Sequence, residues 1–108
     1  MKPETLIALQ GSIRKWEQIA AGKGEDKGVL NCPLCQEFFY KRGCRGCPVS
    51  AKTGHHNCNR TPYTEWEEQL RDEVVDGRRG VHVRRATTPA LVALAQKEVE
   101  FLRSLLPE

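Results

Sequence analysis

Five cysteines fall between residues 32 and 58 in the order C-x2-C-x8-C-x2-C-x10-C, and the chain has no others. A C-x-x-C turn sets two thiolates on one side of a tight bend. Two such turns can supply the four soft ligands of a tetrahedral zinc. Cys32, Cys35, Cys44 and Cys47 make that set. Pro33 stiffens the first turn, and Gly43 and Gly46 give the second turn backbone angles that other residues resist. Cys58 is left over and stands as the substitute ligand; Cys44 would then be the spare. A [4Fe–4S] cluster also takes four cysteines, and Cys47-Pro48 has the Cys-Pro step of ferredoxins, but the run C-x2-C-x2-C-x3-C-P is absent. Zinc is the expectation, with [4Fe–4S] as the alternative, because the paired C-x-x-C turns need nothing added to fit an all-thiolate zinc site.

Other chemistry is weighed against this. The bland alternative is a set of reduced structural or reactive thiols. A thioredoxin-like dithiol would call for βαβ surroundings, and none flanks either pair. An odd cysteine count argues against a closed disulfide framework. His55 and His56 precede Cys58 and can serve zinc, but two polar residues after Thr53-Gly54 read more simply as solvated. A Cys58–His nucleophile would need an orienting acid and an oxyanion site, which the sequence does not supply. His82 lies between two valines, a strand or loop position. No enzyme is expected.

The elements that must position the cysteines are helical. Residues 3–21 carry Leu6, Leu9, Ile13, Trp16 and Ala20 at a spacing of three and four, one face of a helix. Pro3 suits its first turn, and Gly11 is a mild weakness inside it. In TPYTEWEEQLRDEVVDG, Thr61 or Thr64 can cap a second helix, with Thr64 and Glu67 as a capping box. Tyr63, Trp66, Leu70 and Val74 line its apolar face. Thr88 caps a third helix, Pro89 opens it, and its apolar positions are too many for one stripe. That helix is therefore central and touches at least two partners. VHV at 81–83 reads as a short strand. The fold class is mostly α: a single domain over residues 1–108, with about three helices and an irregular, zinc-knuckle-like metal-binding lobe at about 31–60. The lobe has few apolar anchors to offset its ordering entropy. A structural zinc contributes roughly 10–16 kcal/mol of apparent free energy in isolated fingers, so an ion can stand in for a core there.

Charge adds a weak constraint. The formal net charge is +3 over 108 residues. Lys41, Arg42, Arg45, Lys52 and Arg60 surround the cysteines with no intervening acid, and Arg78, Arg79, Arg84 and Arg85 flank VHV. Basic loops beside a zinc knuckle can hold phosphate backbones, and Tyr40 can stack a base. The four arginines of 78–85 are the candidate nucleic-acid contacts. Against them stand six acids between residues 65 and 76, a ready internal partner. No apolar run is long enough to span a membrane, and MKPETLIALQGS lacks the pattern of a secretory signal, so the expected setting is cytoplasmic.

CPLC, then CRGCPV, then TG followed by C-x-x-TPY-x-x-W, resembles a group of small cysteine-rich proteins encoded by bacteriophages and prophages. The resemblance covers residues 16–66 best, and FLRSLLP near the end adds to it. It implies a bacterial host cytoplasm and a metal site at the matched cysteines, and it carries no catalytic residue. The expected function is a metal-stabilised binding or regulatory module that contacts a host or phage protein. A nucleic-acid-binding zinc protein is the alternative. The wide apolar face of the last helix also allows a homodimer, although the monomer's own core is the simpler use of it.

Overall fold

The computed structural model describes residues 1–39, 47–53 and 61–107. Helix α1 spans Pro3–Ala20. A 3₁₀ turn covers Gly28–Asn31 and a π-helical turn covers Cys35–Phe39. Helix α2 spans Pro48–Thr53, α3 spans Pro62–Val75 and α4 spans Pro89–Arg103. The protein is mostly helical, and no strand occurs among the described residues. No helix among them is long and apolar enough to cross a membrane.

Local sequence accounts for the long helices. Proline opens each of α1, α3 and α4, where its missing N–H costs nothing. The Thr61 hydroxyl accepts from the Tyr63 N–H at 3.2 Å, so Thr61 caps α3. The Thr88 hydroxyl accepts from the Leu91 N–H at 3.4 Å and caps α4. On α1 the buried face runs through Ala8, Leu9, Ser12, Ile13, Trp16 and Ile19, a slight rotation from the face expected through Leu6 and Ala20.

Helix α4 is central, packing against both α1 and α3. Leu91, Ala95, Val99 and Leu102 form its buried side. Trp16 of α1 meets Trp66 of α3 edge to face, with ring centroids 5.1 Å apart. Tyr63 adds a second edge-to-face contact with Trp16 at 5.7 Å. Such pairs add about 0.5–1.5 kcal/mol beyond their buried area.

Two expectations change. The described part of the cysteine-rich segment shares the core: Leu34, Phe38, Cys47 and Val49 are buried in the same cluster as the side chains of α1, α3 and α4. Within it, Cys35–Phe39 and Pro48–Thr53 are short helical turns. Residues 81–83 form a turn and a short link instead of a strand. The physical reason lies in Arg79, whose guanidinium donates to the carbonyls of Val83 at 2.7 Å and Arg85 at 3.2 Å, groups a strand would pair with a neighbour.

Candidate functional site

The first C-x-x-C turn is built on α1. A Cβ placed on Gly11 would come within 3.0 Å of the Pro33 ring, so glycine here is a docking surface for Pro33 and not merely a weak helix former. One position on, the Ser12 hydroxyl accepts from the Leu34 N–H at 3.2 Å and lies 3.9 Å from the Cys32 sulfur. Cys32 Sγ accepts the Cys35 N–H at 3.3 Å, and the Cys32 carbonyl accepts the Gln36 N–H at 2.9 Å. Both sulfur-bearing residues are half-buried. The Cys32 thiol is pulled down to about 6, chiefly by hydrogen bonding from the Cys35 side chain. Burial opposes the shift, while the Cys35 N–H, the Lys15 charge and Ser12 assist it. The shift favours the thiolate, the form that binds metal.

The other expected ligands divide into two groups. Cys47 is buried in the apolar core and its carbonyl accepts the Ala51 N–H at the start of α2. Cys44, Cys58, His55 and His56 lie outside the described residues, as do Tyr40, Lys41, Arg42, Arg45 and Arg60. Cys32 and Cys35 are brought together. Among the described residues no three Cys, His, Asp or Glu side chains converge as a metal-ligating set.

The four arginines have unlike fates. Arg79 is almost wholly buried, as is Glu73, and its Nε and Nη2 donate to Glu73 Oε1 at 3.0 and 2.7 Å. It also binds the Thr87 hydroxyl. Arg84 donates through Nη2 to Asp26 Oδ2 at 2.7 Å and to Glu67 Oε2 at 3.2 Å, and through Nε to the Asp26 carbonyl at 2.9 Å. Arg78 is exposed and pairs with Asp76 at 2.9 Å. Arg85 and His82 lie at the surface of the same link. Two of the four guanidinium groups are thus committed to internal carboxylates.

Three buried acids escaped the sequence reading. Asp26 is fully buried and accepts from Lys15 Nζ at 2.9 Å, the Gly28 N–H at 2.8 Å, Trp66 Nε1 at 3.0 Å and Arg84. Burial works against its charge, but Lys15, the Gly28 N–H and Arg84 outweigh it and hold the carboxyl below its ordinary range. Gly28 sits at φ +62°, a conformation side chains resist, and so turns its N–H toward Asp26. Glu73 is equally buried. Its carboxylate accepts from Gln69 at 2.9 Å, Arg79, and the Thr88 hydroxyl at 2.8 Å, which together overcome burial and lower its pKa.

Glu98 differs. It is 3% exposed and accepts the Tyr63 N–H, yet its Oε2 has no hydrogen-bond partner. Burial, followed by the nearby Cys32 charge, pushes its carboxyl up to about 7, with Lys15 opposing. A signal for two of these acids was present. Glu73 follows Trp66 by seven residues and Glu98 follows Leu91 by seven, which places each on its helix's buried stripe. For Asp26 the signal was the Asp-x-Gly turn in GKGEDKG.

Comparison with protein-family models, with curated proteins and with solved structures returned no match.

Proposed function

We propose that this chain is a small helical binding module whose cysteine-rich segment is organised by a zinc ion. Cys32, Cys35, Cys44 and Cys47 are its ligands, and the module acts by contacting another protein. The observation that carries the reading is the Cys32 turn. Its sulfur accepts the N–H of Cys35, is fixed against α1 through Ser12, and is held toward the thiolate form. An N–H donated to a ligating sulfur both orients it and spreads its charge, the supporting role that neighbours of metal ligands perform. The packing of Leu34 and Phe38 into the core means the ion anchors the segment to the helices. Protein contact is favoured over nucleic acid because Arg79 and Arg84 are tied to Glu73 and Asp26.

The test is metal analysis with an absorption spectrum on protein purified without air. One zinc per colourless chain is the expected result, retained in Cys58→Ser and lost in Cys32→Ser and Cys35→Ser. A brown sample with broad visible absorption would replace zinc by [4Fe–4S]. A metal-free chain would remove the reading.

A further inference from the structure

We propose that Ser12 of α1 is a positioning residue for the metal site: its hydroxyl donates a hydrogen bond to the Cys32 sulfur, so that α1 presets the first C-x-x-C turn for zinc. The proposal deepens the zinc reading and rests on it.

Two adjacent positions of α1 carry the argument, and both are poor choices for the helix itself. Glycine is the residue least suited to a helix interior after proline. A serine on a buried stripe must find partners for its hydroxyl or lose stability, and Ser12 is only 1% exposed, beside Leu9, Ile13 and Trp16. Both positions meet the same three residues, 32–34. A Cβ on Gly11 would stand 3.0 Å from Cγ and 3.2 Å from Cβ of Pro33, so glycine is what lets the turn sit this close. The Ser12 oxygen lies 3.2 Å from the Leu34 nitrogen and 3.9 Å from the Cys32 sulfur. A serine within a helix often turns back to the carbonyl four residues earlier. Ser12 instead bridges to a turn twenty residues on. Each position gives up helix propensity and gains a contact with the ligand turn.

Chemistry fixes which atom donates. The Ser12 oxygen accepts the Leu34 N–H with a lone pair, which leaves its own proton to give. A cysteine that ligates a metal has lost its proton, so its sulfur can only accept. At 3.9 Å the contact is long for an O–H donor to sulfur, and a charged acceptor shortens such a bond. The Cys35 N–H reaches the same sulfur at 3.3 Å. Cys32 therefore takes one donor from its own turn and one from α1. Donors of this kind orient a metal ligand and spread its charge.

The experiment titrates the full reduced chain with zinc against a chromophoric chelator. A second titration uses cobalt(II), whose sulfur-to-metal charge-transfer band reports on the ligating thiolates. Ser12→Ala should bind zinc about tenfold more weakly or worse, the usual effect of losing such a partner. Its cobalt band should move to longer wavelength, because a thiolate without its donor gives up electron density more readily. Gly11→Ala should produce both changes by lifting Pro33, and with it Cys32, off α1. Ser12→Ala with wild-type affinity overturns the inference. So does weaker binding with an unmoved band, which would reduce Ser12 to a support for Leu34. If circular dichroism shows Ser12→Ala unfolded, Gly11→Ala decides alone, and an unchanged affinity and band there overturns the inference. Wild-type protein that takes up neither metal removes the zinc reading and this inference together. Metal binding indifferent to both substitutions removes the inference and leaves the zinc reading standing.

Discussion

At the scale of single residues, the buried acids decide how the molecule responds to pH. Asp26 has four donors around it and Glu73 has three donor side chains, so each is lowered, and the stability each contributes is present above its ordinary pKa and lost as pH falls. Glu98 works in the opposite sense. Its folded pKa of about 7 exceeds the ordinary 4.5, so its contribution is fully present below pH 4.5 and is lost as pH rises toward 7. Glu98→Gln should therefore stabilise the protein at pH 8 by about 1–3 kcal/mol, the cost of an unsatisfied buried charged group, and change little at pH 4.5. Urea unfolding at the two pH values checks this; equal effects at both would show that the carboxyl is not strained. Asp26→Ala should cost about 3–5 kcal/mol, because Lys15 and Arg84 lose a buried counter-charge.

At the scale of elements, the link between α3 and α4 is held by a side chain. Residues 76–88 contain no regular structure, yet Arg79 bonds to Glu73, Val83, Arg85 and Thr87 at once. Arg79→Ala should destabilise by about 3–5 kcal/mol through the orphaned Glu73, and hydrogen exchange should quicken across residues 79–87. Arg85→Ala, at a surface position, should stay within about 0.5 kcal/mol. If nucleic acid binds at all, Arg78→Gln and Arg85→Gln should weaken a low-salt gel shift while the fold stays intact. The same substitutions at Arg79 and Arg84 should destabilise the fold, so they report on stability as well as on binding.

This scale also shows what the sequence discloses. The three long helices, the Thr61 and Thr88 caps and the central place of α4 were legible, because each follows from local periodicity and capping chemistry. The strand at 81–83 was misread because short apolar alternation carries no information about a guanidinium four residues upstream that claims the carbonyls. Gly11 looked like a fault because its partner, Pro33, lies 22 residues on. Of the cysteines, the Cys32–Cys35 turn was legible as a unit. Its Ser12 and Glu98 neighbours were not, since only tertiary packing brings α1 and α4 to it.

At the scale of the whole molecule, the described part of the cysteine segment and the helices share one core, so if zinc organises the segment as proposed, its loss should be felt beyond the segment. Chelation of the zinc-loaded protein should leave most helical circular dichroism, because α1, α3 and α4 keep their own contacts. Residues 31–60 should become sensitive to protease, and tryptophan fluorescence should shift as Leu34 and Phe38 loosen near the buried aromatic cluster. Proteolysis and fluorescence both unchanged by chelation would refute an anchoring metal.

The pairing of α1 with α4 has a consequence for synthesis in the cell. Helix α1 rests chiefly on α4, which is made later, and Asp26 must wait for Arg84. Roughly seventy residues separate the two helices, and at 5–20 residues per second the interval is roughly 4–14 seconds. Through that time Trp16 and Ile19 have no partner from α4, and the Cys32–Cys35 turn has no Glu98 beside it. A nascent chain therefore leaves part of the apolar face of α1 uncovered until α4 emerges, and truncation within α4 should make the chain protease-sensitive rather than leave a smaller stable fold.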